Sequence, residues 1–303
     1  MITATAVRSS KTHRDENFPV ASWLLGEQHR RPILAFYRFA RAADDVADHP
    51  MLRPDDKLAL LDRLGEALAG KGPKDPEAEP LRLALREHGL APRHAYDLLE
   101  AFRLDVRKHR YASWQELMDY CRLSAMPVGR FVLDVHGEDR FTWQASDPLC
   151  AALQVINHLQ DCGRDYRQLD RVYLPQDILA SRGAATGMLA RTRSPPELLG
   201  VIRELARQSS VLLREAAPLS RQVADVRLSL EIAAIQTLAE HLVRRLATRD
   251  PLWERVHLGK LGFAALGGLG IMRGFAAILT TRARRSFNRL STSELRYSGT
   301  TMR

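Results

Sequence analysis

A chain of 303 residues with 45% apolar and 27% charged side chains can bury one large core, and no Gly/Ser/Pro-rich linker divides it, so one domain over 1–303 is expected. Three cysteines, Cys121, Cys150 and Cys162, without a Cys-x-x-Cys spacing argue against a disulfide framework or a zinc knuckle and suit a reducing cytoplasm. A net charge of +9 leaves nucleic acid, an anionic membrane surface or an anionic substrate as partners, and the polar first seventeen residues argue against a secretory signal.

Residues 1–14 read as frayed. Asn17 is a good N-cap and Pro19 suits a first turn, so a helix is expected to start there, with Phe18 on its apolar side. The next helix carries Phe36, Phe39, Ala40 and Ala43 as a buried stripe, with Pro32 near its start. Further helices are expected from Asp55 to Ala69, around 80–88, and from Pro92 towards Arg107. Ser113-x-x-Glu116 is a capping box whose helix should run to about Val135, kinked at Pro127. Ser146-Asp147-Pro148 reads as the start of another helix, followed by the turn Arg171-Val-Tyr173-Leu-Pro175. Helices to about Ala216 and over Leu228–Leu246 follow, and Asp250-Pro251 should begin a short one. From Leu258 to Leu279 the chain is largely apolar, interrupted by Lys260 and Arg273 and rich in glycine. It reads as a terminal helix, packed on the bundle or lying at a membrane interface; a true span is the least favoured. Beyond Thr281 six arginines face Glu294 alone, and about 285–303 should be flexible. These arginines suit peripheral contact at the inner face of a membrane by an otherwise cytoplasmic protein.

Two stretches carry the chemistry. On a helix Asp44 and Asp48 share one face with their Cβ atoms about 6 Å apart. Asp161 and Asp165 repeat that pair, and Asn157 and Gln154 extend it backwards as a polar column among Leu153, Val155, Ile156 and Leu159. Each pair alone could be a solvated acidic turn. Two of them on facing helices can hold a hard cation such as Mg²⁺, which takes carboxylates, waters and substrate phosphates. Arg41 lies one turn before Asp44, where its fork could reach diphosphate oxygens or simply bridge to Asp44 or Asp45.

Four motifs occur in order: Tyr37-x-Phe39-x-Arg41-x-x-Asp44-Asp45-x-x-Asp48, then Tyr120-Cys121 with Ala125-x-x-Val128-Gly129, then Gln154-x-x-Asn157-x-x-x-Asp161-x-x-x-Asp165, then Arg171-x-Tyr173-Leu174-Pro175. Together they resemble the squalene/phytoene synthase family. The resemblance implies an all-α isoprenoid-synthase bundle around a central cavity, a prenyl diphosphate substrate and Mg²⁺ held by Asp44, Asp48, Asp161 and Asp165. It also implies chemical roles for Tyr120, Arg41, Asn157 and Gln154. Phe18, Tyr37, Ser124, Ala125, Val128, Gly129, Arg171 and Tyr173 would then contact substrate. Ser124, Ala125 and Gly129 could equally serve tight helix packing.

Asn17-Phe18, Ala40 and the segment Cys121–Arg130 are most similar to the branch that takes presqualene diphosphate and water to hydroxysqualene and diphosphate, on the route to hopanoids. The alternative is a head-to-head prenyl transferase condensing two farnesyl or geranylgeranyl diphosphates. An all-helical His-Asp phosphohydrolase would need a His-Asp dipeptide, which the chain lacks. A nucleic-acid binder would show a basic stripe interleaved with aromatics, whereas here basic residues gather in loops and the tail.

Overall fold

Helix α1 (Glu27–Asp48) buries Ile33, Phe36, Phe39, Ala43 and Val46 along one stripe, so a single face of its 22 residues is committed to the core. The computed structural model describes residues 26–276; the expected helix around Asn17, with Phe18, and the residues after 276 lie outside them. Further along are α2 (Pro54–Leu68), α3 (Ala78–Glu87), α4 (Arg93–Arg107), α5 (Trp114–Ser124), α6 (Met126–Val135) and α7 (Trp143–Leu169). The chain continues with α8 (Gln176–Ser181), α9 (Pro196–Ala216), α10 (Leu219–Gln222), α11 (Val226–Leu246) and a last helix, α12, from 260 to 276. Among the described residues there is no strand, only an isolated bridge between Arg110 and Val172.

Two long helices organise the packing: α1 lies against α2, α3, α4 and α6, while α7 lies against α6, α9 and α11. Three expectations need correction. The helix expected over 113–135 is two helices, broken at Ala125 (φ −126°, ψ −47°), because Pro127 fills the first turn of a new helix and donates no hydrogen bond backwards. Helix α7 begins at Trp143, not Ser146, and carries Pro148 inside it. Ser146 is buried against α6, and Asp147 pairs with Arg130 instead of serving the helix terminus. The segment after Asp250 is a turn whose carboxylate accepts from the Ser194 amide and hydroxyl (2.8 and 2.6 Å).

Close approach of α6 to α7 depends on Gly129. A Cβ there would lie 2.5 Å from both Cys150 Sγ and Ser146 Oγ. Tight packing and a place beside the cavity are therefore both true of this glycine. Helix α12 seats on α11 in the same way, since Cβ atoms at Gly270 and Gly274 would press on Ala233, Ala234 and Leu230.

Candidate active site

Both aspartate pairs fall on the same ends of the two long helices, and the turn after α7 ties them together. Asp170 closes α7 in the left-handed region (φ 51°) and sends the chain back across its end. The Val172 amide donates to the His109 carbonyl (2.9 Å) and the Gln176 amide to the Tyr111 carbonyl (2.9 Å), which fixes the turn beside the end of α4. Arg171 is thereby buried between helices. Its Nε donates to the Asp105 carbonyl (3.1 Å), one terminal nitrogen to the Ala47 carbonyl (3.1 Å), and the other pairs with Asp48. Its own amide donates to the Asp165 carbonyl (3.2 Å). One residue thus joins the last turn of α1 to the last turns of α7.

The carboxylates are crowded. Burial pushes the Asp165 carboxyl up to about 7, with Asp161 and then Asp48 on the opposite helix adding to the rise against Arg164. Loss of hydration pushes Asp44 up to about 8, aided by Asp48 and opposed by Arg41. Arg171 holds Asp48 with its side chain and the Asp165 carbonyl with its amide, which brings the ends of the two pairs together. Arg41 bridges Asp44 (3.0 Å) and Asp45 (2.8 Å). Asp161 contacts Arg164 (2.7 Å) and lies 3.5 Å from His257.

Beside this cleft sits a buried polar knot. Tyr120 and Tyr173 each donate a hydroxyl to Asp105 (2.8 Å), one to each carboxylate oxygen. Burial raises Asp105 to about 6, against the Arg171 charge and the two hydroxyl bonds. His158 stacks on Tyr173 with ring centroids 3.5 Å apart, and burial lowers its pKa to about 3, so it is neutral at ordinary pH. Its Nε2 lies 3.1 Å from the Gln154 amide nitrogen, so Gln154 and His158 form one polar pair.

An apolar cavity of about 240 Å³ continues along the same helices. Its wall includes Phe36, Tyr37 and Ala40 of α1, Val128 and Gly129 of α6, Leu149 and Leu153 of α7, and Ile232 of α11. Leu153 precedes Asp161 by eight residues, about 12 Å of helix, so the carboxylates stand at one end of an apolar tube. Ser124 and Ala125 lie at the α5–α6 break and are not among the residues lining the cavity, although the Ser124 hydroxyl is buried without a hydrogen-bond partner. Asn157 is half-buried on α7, one turn before Asp161.

The match to the squalene/phytoene synthase family model covers residues 11–262, most of the chain. The chain belongs to this family. It is 54% identical to the hydroxysqualene synthase of Rhodopseudomonas palustris over 289 residues, 95% of this chain and 97% of that one. It is 51% identical to the hydroxysqualene synthase of Sinorhizobium fredii over equal coverage. Its fold matches a squalene synthase from Alicyclobacillus acidocaldarius with TM-score 0.68 and 32% identity, over 77% of this chain and 89% of that one. A dehydrosqualene synthase matches with TM-score 0.74 at 21% identity, over 88% and 93%. The chain is therefore an all-α isoprenoid-synthase enzyme of this family.

Sequence patterns give Asp105, with a basic run just behind it, the look of a solvated face, yet it is buried and accepts from two tyrosine hydroxyls. They also passed over Lys57, His158 and His257; Lys57 donates to the Ala47 carbonyl (2.8 Å).

The raised carboxylates make stability depend on pH with a definite sign. Asp44, Asp105 and Asp165 hold protons more tightly folded than unfolded, so their contribution is complete below a pKa of about 4 and is lost as pH rises through about 6, 7 and 8. His158 acts oppositely, losing stability as pH falls below about 6.5 towards about 3. Between roughly pH 6.5 and 8 only the carboxylate effect operates. In EDTA, Tm should fall steadily across that interval; a flat or rising Tm would contradict the burial that raises these carboxyls.

Proposed function

We propose that this enzyme converts presqualene diphosphate and water to hydroxysqualene and diphosphate in a Mg²⁺-dependent reaction. The observation that carries the reading is the pair of opposed aspartate pairs at one end of an apolar cavity, in a chain about half identical to hydroxysqualene synthases over nearly its full length. Four carboxylates on two helices, two of them, Asp44 and Asp165, raised chiefly by burial and further by neighbouring carboxylates, form the hard donor set that Mg²⁺ fits. Asp44, Asp48, Asp161 and Asp165 hold it, and when bound it neutralises diphosphate oxygens and makes diphosphate a better leaving group.

The chain's own groups do the rest. Arg41, at the edge of the carboxylates, turns its fork to the diphosphate. Phe36, Tyr37, Leu149 and Leu153 enclose the hydrocarbon and keep bulk water from the cation. Tyr120 and Tyr173, aligned by Asp105, present phenolic oxygens and a buried negative charge that favour a nearby carbocation. The carbon–oxygen bond to diphosphate breaks, the cyclopropylcarbinyl cation rearranges and its ring opens to an allylic cation, and a water oxygen bonds to that cation. The released proton passes to diphosphate. With no hydride donor, the product is an alcohol.

Incubation with presqualene diphosphate and Mg²⁺ but no NADPH should release hydroxysqualene, and farnesyl diphosphate alone should give little C30 product. Efficient conversion of farnesyl diphosphate to presqualene diphosphate or squalene would favour the condensing alternative.

A substrate this apolar is delivered from lipid, and α12 offers a surface for it. Leu261, Leu269, Met272 and Phe275 are 89%, 39%, 65% and 50% exposed and fall within about 120° of helix arc. Gly270 and Gly274, which seat the helix on α11, occupy the opposite side. No helix among the described residues is long and apolar enough to cross a membrane. Peripheral contact of this face with anionic lipid, aided by the arginines after Thr281, follows from the charge and the exposed side chains. Deleting 282–303 should weaken binding to anionic vesicles without changing turnover of detergent-solubilised substrate. Unchanged vesicle binding would remove the tail from the interface.

A further inference from the structure

Away from the aspartates, three helix ends meet at His29 in the first turn of α1, His136 just after α6, and Asp225 just before α11. One ligand atom from each lies within 4.8 Å of the others. His29 Nδ1 is 3.8 Å and His136 Nε2 3.9 Å from the same Asp225 oxygen, Oδ2. We propose that these three side chains bind a divalent transition-metal ion of the zinc class, which pins the end of the apolar cavity remote from the aspartates.

The orientation of His136 and Asp225 supports this, and the His29 ring packs against His136 with centroids 4.0 Å apart. His136 Nδ1 lies 2.8 Å from the Val132 carbonyl, which can only accept, so Nδ1 carries the proton and Nε2 presents a lone pair. That Nε2 belongs to a side chain with no exposed surface, has no hydrogen-bond partner and points at Asp225 and His29. Asp225 divides its oxygens: Oδ1 caps α11 by accepting from the Arg227 and Leu228 amides (2.8 and 3.2 Å), leaving Oδ2 for the histidines. Glu138 accepts from the Ala224 and Asp225 amides (2.8 Å each) and holds that loop in place. Tetrahedral zinc with bonds of about 2.0–2.1 Å sets its ligand atoms about 3.4 Å apart, against 3.8 and 3.9 Å from Asp225 Oδ2 to the two histidines and up to 4.8 Å within the group, so both rings must draw in towards the carboxylate. Two imidazoles with one carboxylate favour borderline ions over Mg²⁺. A cleft lined by Gln28, His29 and Arg227 gives access.

The consequence for the cavity is direct. Ile33 is one turn from His29, Leu133 one turn from His136 and Leu228 one turn from Asp225, and all three line the cavity. A bound ion would fix three of its walls at once.

The test uses the tag-free full chain in excess Mg²⁺, which occupies the aspartate pairs, titrated with Zn²⁺ by calorimetry and with Co²⁺ by absorption. One equivalent of Zn²⁺ should bind, raise Tm and compete with a Co²⁺ spectrum of low coordination number. His29→Gln, a partly exposed position, should weaken binding by at least about 10-fold with unchanged circular dichroism, and His136→Gln should do the same. Asp44→Asn should leave the Zn²⁺ affinity unaltered. Wild-type Zn²⁺ affinity in His29→Gln, or no saturable binding under excess Mg²⁺, would overturn the proposal and leave the cluster as an ion pair between helix ends.

Discussion

Asp161→Asn is expected to lower kcat by roughly 10²–10³-fold, about 3–4 kcal/mol of barrier, while the helical circular dichroism stays unchanged. The charge removed is one that the proposed metal site uses directly, and its amide replacement is nearly the same size. Asp44→Asn should behave alike. In that position the native carboxylate is destabilised by burial first and by Asp48 across one helical turn second, against Arg41, so the neutral amide should preserve or raise Tm as it lowers turnover. Opposite signs for activity and stability separate a chemical role from a structural one. Steady-state kinetics on either purified variant at wild-type rate would contradict the metal-site assignment.

Arg171→Leu should instead be a folding defect. The guanidinium is buried and bonded to Asp48 and to the Ala47 and Asp105 carbonyls, so its removal strands buried acceptors from two helices. Breaking such a pair from one side costs about 3–5 kcal/mol, which for a chain of this size lowers Tm by roughly 10 °C. Lysine keeps the charge but not the three-way fork, so Arg171→Lys should fall between leucine and wild type. Urea unfolding gives the measurement; a change within about 1 kcal/mol for Arg171→Leu would mean that the residue is not the tie between α1 and α7.

Asp44 and Asp48 were legible because helical spacing alone puts them on one face, and Asp161 and Asp165 for the same reason. What spacing does not contain is which helices face each other. Asp105 acquires its meaning from Tyr120, 15 residues on in the packed α5, and from Tyr173 and Arg171, 68 and 66 residues away, which the turn after α7 brings in. His158 finds Gln154 on its own helix, whereas the Tyr173 ring it stacks on arrives from beyond the helix end. The α5–α6 break was half-visible: Pro127 announced a disruption, but whether proline kinks a helix or restarts one depends on the backbone before it, here Ala125. Pro148 misled in the opposite direction, because a helix packed on three neighbours tolerates one missing hydrogen bond. Gly129 admitted two readings from its size alone, and the 2.5 Å approach of Cys150 and Ser146 shows that packing is one of its roles.

The central claim is that water is captured at carbon, so that the carbon–oxygen bond of presqualene diphosphate, not a phosphorus–oxygen bond, is the one that breaks. Turnover of presqualene diphosphate with Mg²⁺ in ¹⁸O-labelled water, followed by mass spectrometry of the alcohol and the released diphosphate, addresses it directly. The account predicts one ¹⁸O in hydroxysqualene and none in the released diphosphate, because the carbon–oxygen bond is the one that breaks. Unlabelled alcohol, or label carried by diphosphate, would place the cleavage at phosphorus and contradict it.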